Sequence, residues 1–442
     1  MPETLQFQLW EVAAATLGAR TVRHAAEPPG HSCKRGDCGL FAYARRAQTQ
    51  SPKLWQCNFD HGRTREIDLF FFDFSNERGA LIPRLDNNQF QEDFMATMRV
   101  MPKWQPSPMK VAQISKPGGN FEIVEREIPT PGAGEVRIKV QACGVCHSDV
   151  LTKEGLLPGI QYPRVPGHEV AGVVDEVGVG VSAWTKGQRA GVGWHGGQDN
   201  TCRECRRGDF RHCKNQKIAG ISYDGGYQQY MLAPVEALVA IPETLGDVEA
   251  APLLCAGVTT FGALRSSGAL PGDLVAVQGI GGLGHLGVQF AAKFGYQVAA
   301  IGRGSENAAL AKKLGASIYI DSETTNAAAE LQKLGGAKAI IATAPSSKAM
   351  SALIDGLGPN GRLMVVGATF DPVEVTPSQL IFGSHEIHGW AAGPPAETED
   401  CLHFSELTGV RPMIETYPLE RAEEAYARMM SGNAQFRVVL AM

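Results

Sequence analysis

A glycine-rich turn between an apolar run and a helical run constrains the fold of this chain more than any other feature. The run Leu274–Gln278 leads into Gly279-Ile-Gly-Gly-Leu-Gly284, and a helical run from His285 to Lys293 follows. The first glycine permits a tight turn, the second lets a phosphate approach the backbone, and the third lets the helix pack close to the sheet. Unpaired N–H groups at the start of such a helix attract phosphate oxygens. The sequence therefore predicts a dinucleotide site formed by Gly279, Gly281, Gly282, Leu283 and Gly284.

Strand-like and helical segments alternate around this turn from about Gly257 onward. The apolar runs that suit buried parallel strands are Leu274–Val277, Gln297–Ile301, Ala339–Ala342 and Arg362–Val366, with helical segments such as Glu306–Leu314 and Ser347–Leu357 between them. This alternation predicts an α/β fold with a doubly wound parallel sheet of the Rossmann type. Between Met109 and about Ile241, glycines and prolines separate short β-like runs instead. The tail, about 396–442, is predicted to be helical and to end in a strand.

The end of the second predicted strand bears on the identity of the dinucleotide. An acidic residue there would meet the ribose hydroxyls of NAD, but this strand ends in Gly302 and Arg303. Glycine removes a repelling charge, and arginine can pair with the 2′-phosphate of NADP. NADP is therefore the predicted cofactor. NAD is the alternative, in which Arg303 is a solvated loop residue and Glu306 turns back toward the ribose.

Composition and charge exclude several classes of partner. The net charge of −5 over 442 residues indicates neither a nucleic-acid nor an anionic-membrane partner. No apolar run approaches the roughly 20 residues needed to cross a bilayer. The N-terminus lacks the basic start and clean apolar stretch of a secretory signal, so we expect a cytoplasmic protein. In such a chain the ten cysteines are expected to be metal-binding or catalytic thiols rather than disulfides.

Residues 1–108 differ from the rest of the chain in their pattern of apolar and polar residues. Apolar runs such as Leu69–Phe72 stand beside polar, turn-rich stretches, with no sustained helical or strand period. We expect an N-terminal extension without an assigned role, for which disorder is one interpretation. The orderly pattern of a globular domain begins at Met109.

Three residues far apart in the sequence have the chemistry of an open metal site. Cys146 lies in the segment Gly144–Asp149, His168 lies between Gly167 and Glu169, and Cys255 lies much later. Two thiolates and one imidazole can bind zinc and leave the fourth tetrahedral position for water or substrate. Each residue alone would be an ordinary buried cysteine or histidine, so the inference depends on the set of three.

A second cluster is local. Its members are Asp199, Cys202, Cys205 and Cys213. Three thiolates at this spacing can wrap one tetrahedral metal ion within a single loop. Such a closed site has no room for substrate, so its predicted role is to stiffen the loop.

From about Met109 to Met442 the chain resembles the zinc-containing alcohol dehydrogenases of the medium-chain dehydrogenase/reductase superfamily, the tetrameric microbial and fungal type most of all. The resemblance rests on Gly144–Asp149, Gly167–Glu169, the cysteine loop, Leu254–Thr259, the glycine turn and Phe436-Arg437. It implies a β-rich, GroES-like catalytic domain over 109–254 together with 396–442. It also implies a Rossmann domain over 255–395, so that residues 1–108 are an extension.

The resemblance also implies the roles of the site residues. The three open-site residues hold a catalytic zinc, and Glu169 lies beside it as an exchangeable ligand. Asp149 orients His168, a common arrangement behind zinc-bound histidines, and Ser148 takes the proton of the bound alcohol. His147 and Arg437 meet the pyrophosphate, and Thr259 lies beside the nicotinamide. The residues expected to bind the cofactor outside the glycine turn are therefore His147, Thr259, Gly302, Arg303 and Arg437.

Two positions depart from the family pattern. Asp199 stands where the first structural ligand is usually cysteine, so the predicted local site is Asp-Cys₃. Leu151 stands where the family often has the histidine that completes a proton relay. The proton on Ser148 must then leave through the cofactor ribose or through water, or leave more slowly.

These residues predict an enzyme that transfers a hydride between NAD(P)H and an alcohol or carbonyl substrate held on zinc. The expected partner is a small-molecule alcohol or aldehyde, and the resemblance implies further copies of the chain, as a dimer or tetramer. One alternative is a zinc-free enoyl or quinone reductase of the same superfamily, which would not need the Cys-His-Cys set. Another is a nucleotide-binding protein without catalysis. The particular substrate is not readable from the sequence, although Trp194 and His195 are candidates for lining its pocket.

Overall fold

The computed structural model describes residues 108–442 and, before them, the backbone of one hairpin. In this hairpin β1 (Leu40–Ala44) pairs antiparallel with β2 (Lys53–Cys57). The chain divides into two compact units, residues 1–104 and 105–442, and the hairpin belongs to the first. Apart from the hairpin and residue 108, the predicted extension lies outside the described residues.

The second unit begins with a series of short strands. They are β3 (Met109–Ile114), β4 (Phe121–Arg126), β5 (Glu135–Val145), β6 (Val170–Val177), β7 (Arg189–Val192), β8 (Tyr230–Pro234) and β9 (Leu238–Ala240). In β5 the side chains of Val136, Ile138 and Val140 are buried and alternate with partly exposed ones, as the sequence predicted. Because side chains of a strand alternate between its faces, this strand has one face in the core.

A six-stranded parallel sheet follows. Its strands are β10 (Leu274–Gln278), β11 (Gln297–Gly302), β12 (Ile318–Asp321), β13 (Ala337–Ala342), β14 (Leu357–Val365) and β15 (Glu386–Gly389), in the order β12-β11-β10-β13-β14-β15. The order reverses direction between β10 and β13, which is the point where open α/β sheets bind ligands at their carboxyl edge. All five residues of β10 are buried, as both-face burial of a central parallel strand requires.

While β3 and β4 pair separately, two strands near the end of the chain join β5 to β9 in a seven-stranded sheet. They are β16 (Ile414–Pro418) and β17 (Arg437–Ala441). The strand β17 pairs parallel with β16 and antiparallel with β5, giving the order β16-β17-β5-β6-β7-β9, with β8 also paired to β5. The last strand therefore lies beside the strand that leads into Cys146.

The helices are short and mostly connect the parallel strands. They are α1 (Val150–Lys153), α2 (Asp247–Pro252), α3 (Val258–Arg265), α4 (Gly284–Lys293), α5 (Ala308–Lys313), α6 (Ala327–Lys333), α7 (Ser347–Leu353), α8 (Pro377–Ile381), α9 (Pro395–Thr408) and α10 (Ala422–Met430). A π-helical turn over Leu253–Gly257 joins α2 to α3. Within 108–442, no helix combines the length and the apolar character that spanning a membrane would require.

The predicted α/β fold is confirmed, and each of the four predicted parallel strands is present as β10, β11, β13 and β14. One difference lies in the tail, where β16 interrupts the segment predicted as helical. This strand is short, and its side chains are half-buried or exposed, so it carries no apolar alternation that the sequence could reveal.

Candidate functional site

Three separate elements bring the predicted open-site residues together. Cys146 directly follows β5, His168 lies two residues before β6, and Cys255 lies in the π-helical turn. One ligand atom from each of these three residues and from Glu169 lies within 4.8 Å of the others. All three side chains are at most 9% exposed. Single π-helical turns often mark functional sites, because the inserted residue redirects a side chain.

The chemistry of this donor set fits a zinc ion. The sulfurs of Cys146 and Cys255 are 3.9 Å apart, which is too far for a disulfide but suits two ligands of one ion. The Nε2 atom of His168 is buried and has no hydrogen-bond partner among residues 108–442. Since a buried polar atom left without a partner is costly, the free Nε2 points to a missing ligand. Its ring faces the edge of Trp194, with 4.9 Å between ring centroids.

Asp149 lies behind His168, at the end of a 3₁₀ turn over His147–Asp149. Its carboxylate is 3% exposed, and Oδ1 lies 3.3 Å from Nδ1 of His168. Burial opposes protonation of His168, but the negative charges of Cys146 and Asp149 outweigh it and raise the pKa of the imidazole. The hydrogen bond with Cys255 lowers the pKa of the Cys146 thiol, which favours the thiolate that binds metal.

Glu169 and Arg437 form a buried ion pair beside the three ligands. The guanidinium Nη2 of Arg437 donates to Oε1 of Glu169 and, at 3.4 Å, to the carbonyl of Val145. Burial raises the pKa of Glu169, although the charge of Arg437 opposes this. Gly144 makes room for the carboxylate, because a Cβ at that position would lie 1.8 Å from Oε2 of Glu169.

The other residues predicted for catalysis and cofactor binding in this region lie within a few residues of Cys146 or Cys255 in the chain. His147 is exposed and Ser148 is half-buried, both on the 3₁₀ turn that follows Cys146. Thr259 is buried on α3, one turn after Cys255. Leu151 is half-buried on α1, so the position of the family's relay histidine holds an apolar side chain.

The predicted glycine turn lies between β10 and α4. Gly279 has φ of 88°, which favours glycine, and a Cβ on Gly284 would lie 1.7 Å from the carbonyl of Gly279. A Cβ on Gly281 would meet nothing within 4 Å, whereas one on Gly282 would lie 2.9 Å from Nη1 of Arg437. The turn therefore offers an open cradle with a buried guanidinium beside it, which fits a pyrophosphate.

The end of β11 is shaped by Tyr319. Its hydroxyl donates to the carbonyl of Gly304 at 2.5 Å, and a Cβ on Gly302 would lie 2.5 Å from that hydroxyl oxygen. Asp321 accepts from the backbone N–H of Gly304 at 2.9 Å, which holds the loop from the other side. Arg303 is exposed at the tip of this loop, and the carboxylate of Glu306 folds back against Gly304.

The second predicted cluster is also brought together. Ligand atoms of Asp199, Cys202, Cys205 and Cys213 lie within 4.8 Å of one another, and two of the sulfurs, those of Cys202 and Cys213, are 4.0 Å apart. Asp199 accepts from the backbone N–H of Cys202 at 2.9 Å and from Thr201 at 2.8 Å, and these bonds lower the pKa of its carboxyl. The donor set of three thiolates and one carboxylate fits a closed zinc site.

Trp194 and His195 point in different directions. The ring of Trp194 contacts His168, as a pocket residue would. His195 is buried instead between two amides, with Nε2 2.6 Å from Oε1 of Gln198 and Nδ1 2.9 Å from Nε2 of Gln216. These glutamines flank the Asp-Cys₃ loop, so His195 packs toward that loop.

Sequence reasoning missed two residues that support the site. Tyr227 is fully buried and donates to Oδ2 of Asp149 at 2.8 Å. His285 follows the glycine turn, with Nδ1 2.9 Å from the carbonyl of Gly281 and Nε2 accepting from the N–H of Met413 at 3.2 Å. Adjacency to Gly284 was a signal for His285. Tyr227 had none, since 78 residues separate it from Asp149, the site residue that it contacts.

Comparisons with known proteins agree with this geometry. Residues 132–243 match the family described as the alcohol dehydrogenase GroES-like domain, and residues 282–406 match the zinc-binding dehydrogenase family. The chain is 43% identical over 337 residues to alcohol dehydrogenase patD of Penicillium expansum, an alignment that covers 76% of this chain and 98% of that protein. It is 37% identical over 332 residues to an alcohol dehydrogenase of Geobacillus stearothermophilus, which covers 75% and 98%.

A comparison with solved structures also finds an alcohol dehydrogenase. The cobalt- and zinc-bound thermostable alcohol dehydrogenase of Pyrobaculum aerophilum superposes with a TM-score of 0.68 at 28% identity, and the match covers 76% of this chain and all of that one. About three quarters of this chain therefore corresponds to 98% or more of the length of these proteins.

Proposed function

The chain belongs to the zinc-containing alcohol dehydrogenases of the medium-chain dehydrogenase/reductase superfamily, and from that membership we propose how its residues interconvert an alcohol and a carbonyl compound. The observation that carries the proposal is the convergence of Cys146, His168 and Cys255 on one buried point, where Nε2 of His168 lacks a partner within the described part of the chain. The substrate is a small-molecule alcohol or aldehyde.

We assign these three residues as ligands of a catalytic zinc, with Glu169 as a ligand in exchange with substrate. A zinc ion held by these residues would supply polarisation of the substrate oxygen, and a nicotinamide bound at the glycine turn would supply or accept the hydride. Asp149 fixes the ring of His168 through Nδ1, so that Nε2 is directed toward the other ligands. Arg437 balances the charge of Glu169 and faces the glycine turn, where it is suited to the pyrophosphate.

Ser148 is the residue proposed to accept the proton of the alcohol or to return it to the carbonyl compound. It follows Cys146 by two residues and is half-buried, which places it between the buried cluster and the exposed His147 along the chain. Leu151 cannot carry the proton further. We therefore propose that the proton leaves Ser148 through a cofactor ribose hydroxyl or a water molecule, with His147 exposed at the same turn.

We further propose NADP rather than NAD as the preferred cofactor. Tyr319 leaves no space for a side chain at position 302, so the acid that would select NAD is absent at the end of β11. Arg303 is exposed at the tip of the adjoining loop and can form a charge-assisted bond with a 2′-phosphate. Glu306 is oriented toward Gly304, where it would help to hold the loop.

The Asp-Cys₃ cluster is proposed as a structural zinc site. We propose that residues 109–254 and 396–442 form the catalytic part and that residues 255–395 form the nucleotide part.

We also propose a homo-oligomer that assembles through the edge strand β15. All four of its residues are exposed, and Ile381 and Phe382 are 70% and 89% exposed just before it. An unpaired parallel edge with adjacent exposed apolar side chains is an unusual surface for a monomer.

The test of the proposed function measures bound metal and initial rates together. Wild-type protein is expected to bind zinc and to oxidise NADPH with aldehydes drawn from short, long and aromatic classes. The Cys146→Ala variant is expected to stay folded, to bind one zinc fewer and to lose at least about 1,000-fold in kcat/KM, because metal-assisted polarisation is lost. Cys401→Ala, which removes a buried thiol outside both clusters, is the matched control. Full turnover by Cys146→Ala would point to the zinc-free reductase alternative.

A further inference from the structure

The carboxylate of Asp149 has more partners than orientation of one histidine requires. Its Oδ1 faces His168, while Oδ2 accepts two hydrogen bonds, from the backbone N–H of Cys146 at 2.9 Å and from the hydroxyl of Tyr227 at 2.8 Å. A buried carboxylate keeps its charge only if such donors replace water. The hydroxyl of Tyr227 is the only side-chain donor to Oδ2 among residues 108–442.

Backbone hydrogen bonds hold the segment of Tyr227 against the loop that precedes His168. The backbone N–H of Tyr227 donates to the carbonyl of Pro166 at 3.1 Å, and the N–H of Gly226 donates to the carbonyl of Gly167 at 3.0 Å. The segment therefore lies directly against the loop that carries His168. Its ring is fully buried and stands over Gly167, where a Cβ would lie 2.5 Å from the ring.

The structure thus explains why a glycine precedes His168. Gly167 has φ of 103°, a conformation that L side chains rarely adopt, and the ring of Tyr227 occupies the space that a side chain would need. The tyrosine consequently contacts the metal-ligand loop by its ring and the supporting carboxylate by its hydroxyl. Both contacts restrict the same imidazole.

We propose that Tyr227 is a positioning residue for the catalytic zinc, acting through Asp149 to fix the ring orientation of His168 and thereby to slow the loss of the ion. This inference rests on the proposed function, since it takes Cys146, His168 and Cys255 as the ligands. A carboxylate held by three donors cannot rotate away from the histidine, so Nε2 stays directed at the ion. Partners behind metal ligands typically change metal affinity or activity by about 10- to 100-fold.

The experiment compares Tyr227→Phe with wild-type holoenzyme, since phenylalanine keeps the ring and removes only the hydroxyl. Zinc release to a colorimetric chelator is followed over time, and the absorption spectrum of the cobalt(II)-substituted protein is recorded. We expect release of the catalytic ion to accelerate by about 10-fold or more and the cobalt bands to shift. Release from the Asp-Cys₃ cluster should be unchanged, which gives an internal control. For turnover, kcat should fall while KM for NADPH stays the same.

Two further comparisons keep the inference falsifiable. Tyr296→Phe removes a hydroxyl that bonds the carbonyl of Ala269 at 3.3 Å in the nucleotide part, and it should change neither release nor spectrum. A double-mutant cycle with Asp149→Asn should be strongly non-additive, because Tyr227 acts through that carboxylate. The inference would be overturned if Tyr227→Phe released zinc at the wild-type rate and kept the wild-type cobalt(II) spectrum. Additive effects of Tyr227→Phe and Asp149→Asn in the cycle would also overturn it. A wild-type protein with no chelatable zinc beyond the Asp-Cys₃ cluster would instead refute the proposed function.

Discussion

At the scale of single residues, Arg303 has a clear energetic role in the proposed choice of cofactor. Its guanidinium is exposed beside the glycine that ends β11, with no acidic side chain at that position to oppose a phosphate. We predict that Arg303→Ala lowers kcat/KM for NADPH by roughly 30-fold, since a charged hydrogen bond contributes about 2 kcal/mol. The value for NADH should change by less than about twofold, because NADH lacks the 2′-phosphate.

The measurement is a set of initial rates with both cofactors at one aldehyde concentration. Lys338→Ala is a suitable control. Lys338 lies near the amino end of β13, whereas the glycine turn follows the carboxyl end of the neighbouring strand β10. Equal losses with NADPH and NADH in Arg303→Ala would show that the arginine supports the loop rather than the phosphate.

His285 makes the stability of the protein depend on pH. Burial lowers its pKa to about 4, below the ordinary value of about 6.5, so the unfolded chain binds a proton more readily than the folded one. The stabilising effect of the neutral ring is therefore complete above about pH 6.5 and is lost as the pH falls toward 4. We predict that His285→Gln has a flatter profile of unfolding free energy against pH between these values. Urea titrations at several pH values measure it, with His403→Gln at an exposed site as the control.

The sequence was sufficient for residues whose chemistry is rare, and insufficient for residues that act by packing. Cys146, His168 and Cys255 could be predicted because few arrangements other than a metal site bring thiols and imidazole together. Tyr227 could not, because its role depends on a contact 78 residues away that no local period encodes. The direction of His195 was likewise undetermined, since it follows from the positions of two glutamines in the folded loop.

At the scale of elements, β15 leaves one edge of the parallel sheet unpaired within the described chain. We predict that the double variant Phe382→Ser/Ile387→Ser shifts the protein to a smaller species, because these exposed apolar side chains flank or belong to the edge strand. Light scattering after size exclusion measures the mass. Val179→Ser/Leu270→Ser removes two apolar side chains elsewhere that are 82% and 68% exposed, and it should leave the mass unchanged.

The elements that could be predicted are those with a strong period or an unbroken apolar run. The alternation in β5 and the fully buried run of β10 belong to this group. Short, half-exposed strands such as β16 do not, because their pairing is set by the neighbouring strand β17. The π-helical turn that carries Cys255 is a further case, since its extra residue leaves no mark in the hydrophobic pattern.

At the scale of the whole molecule, the two relatives compared above align over nearly their full lengths with about three quarters of this chain. We predict that a protein comprising residues 109–442 keeps kcat/KM within about twofold of the full chain, because the complete candidate site lies in that region. The comparison is made on purified proteins of equal zinc content. A start at Lys116, which removes β3 and its buried Val111 and Ile114, should instead give insoluble or inactive protein.

The position of Arg437 also determines when the protein can first function in a cell. This arginine begins β17, yet its guanidinium contacts Glu169, which precedes it by 268 residues, and faces the glycine turn. During translation the ribosome delivers the ligands and the glycine turn long before the strand that joins them. A nascent chain therefore cannot complete the site until the last described strand has left the exit tunnel, and premature termination before that strand would yield a protein without a finished cleft.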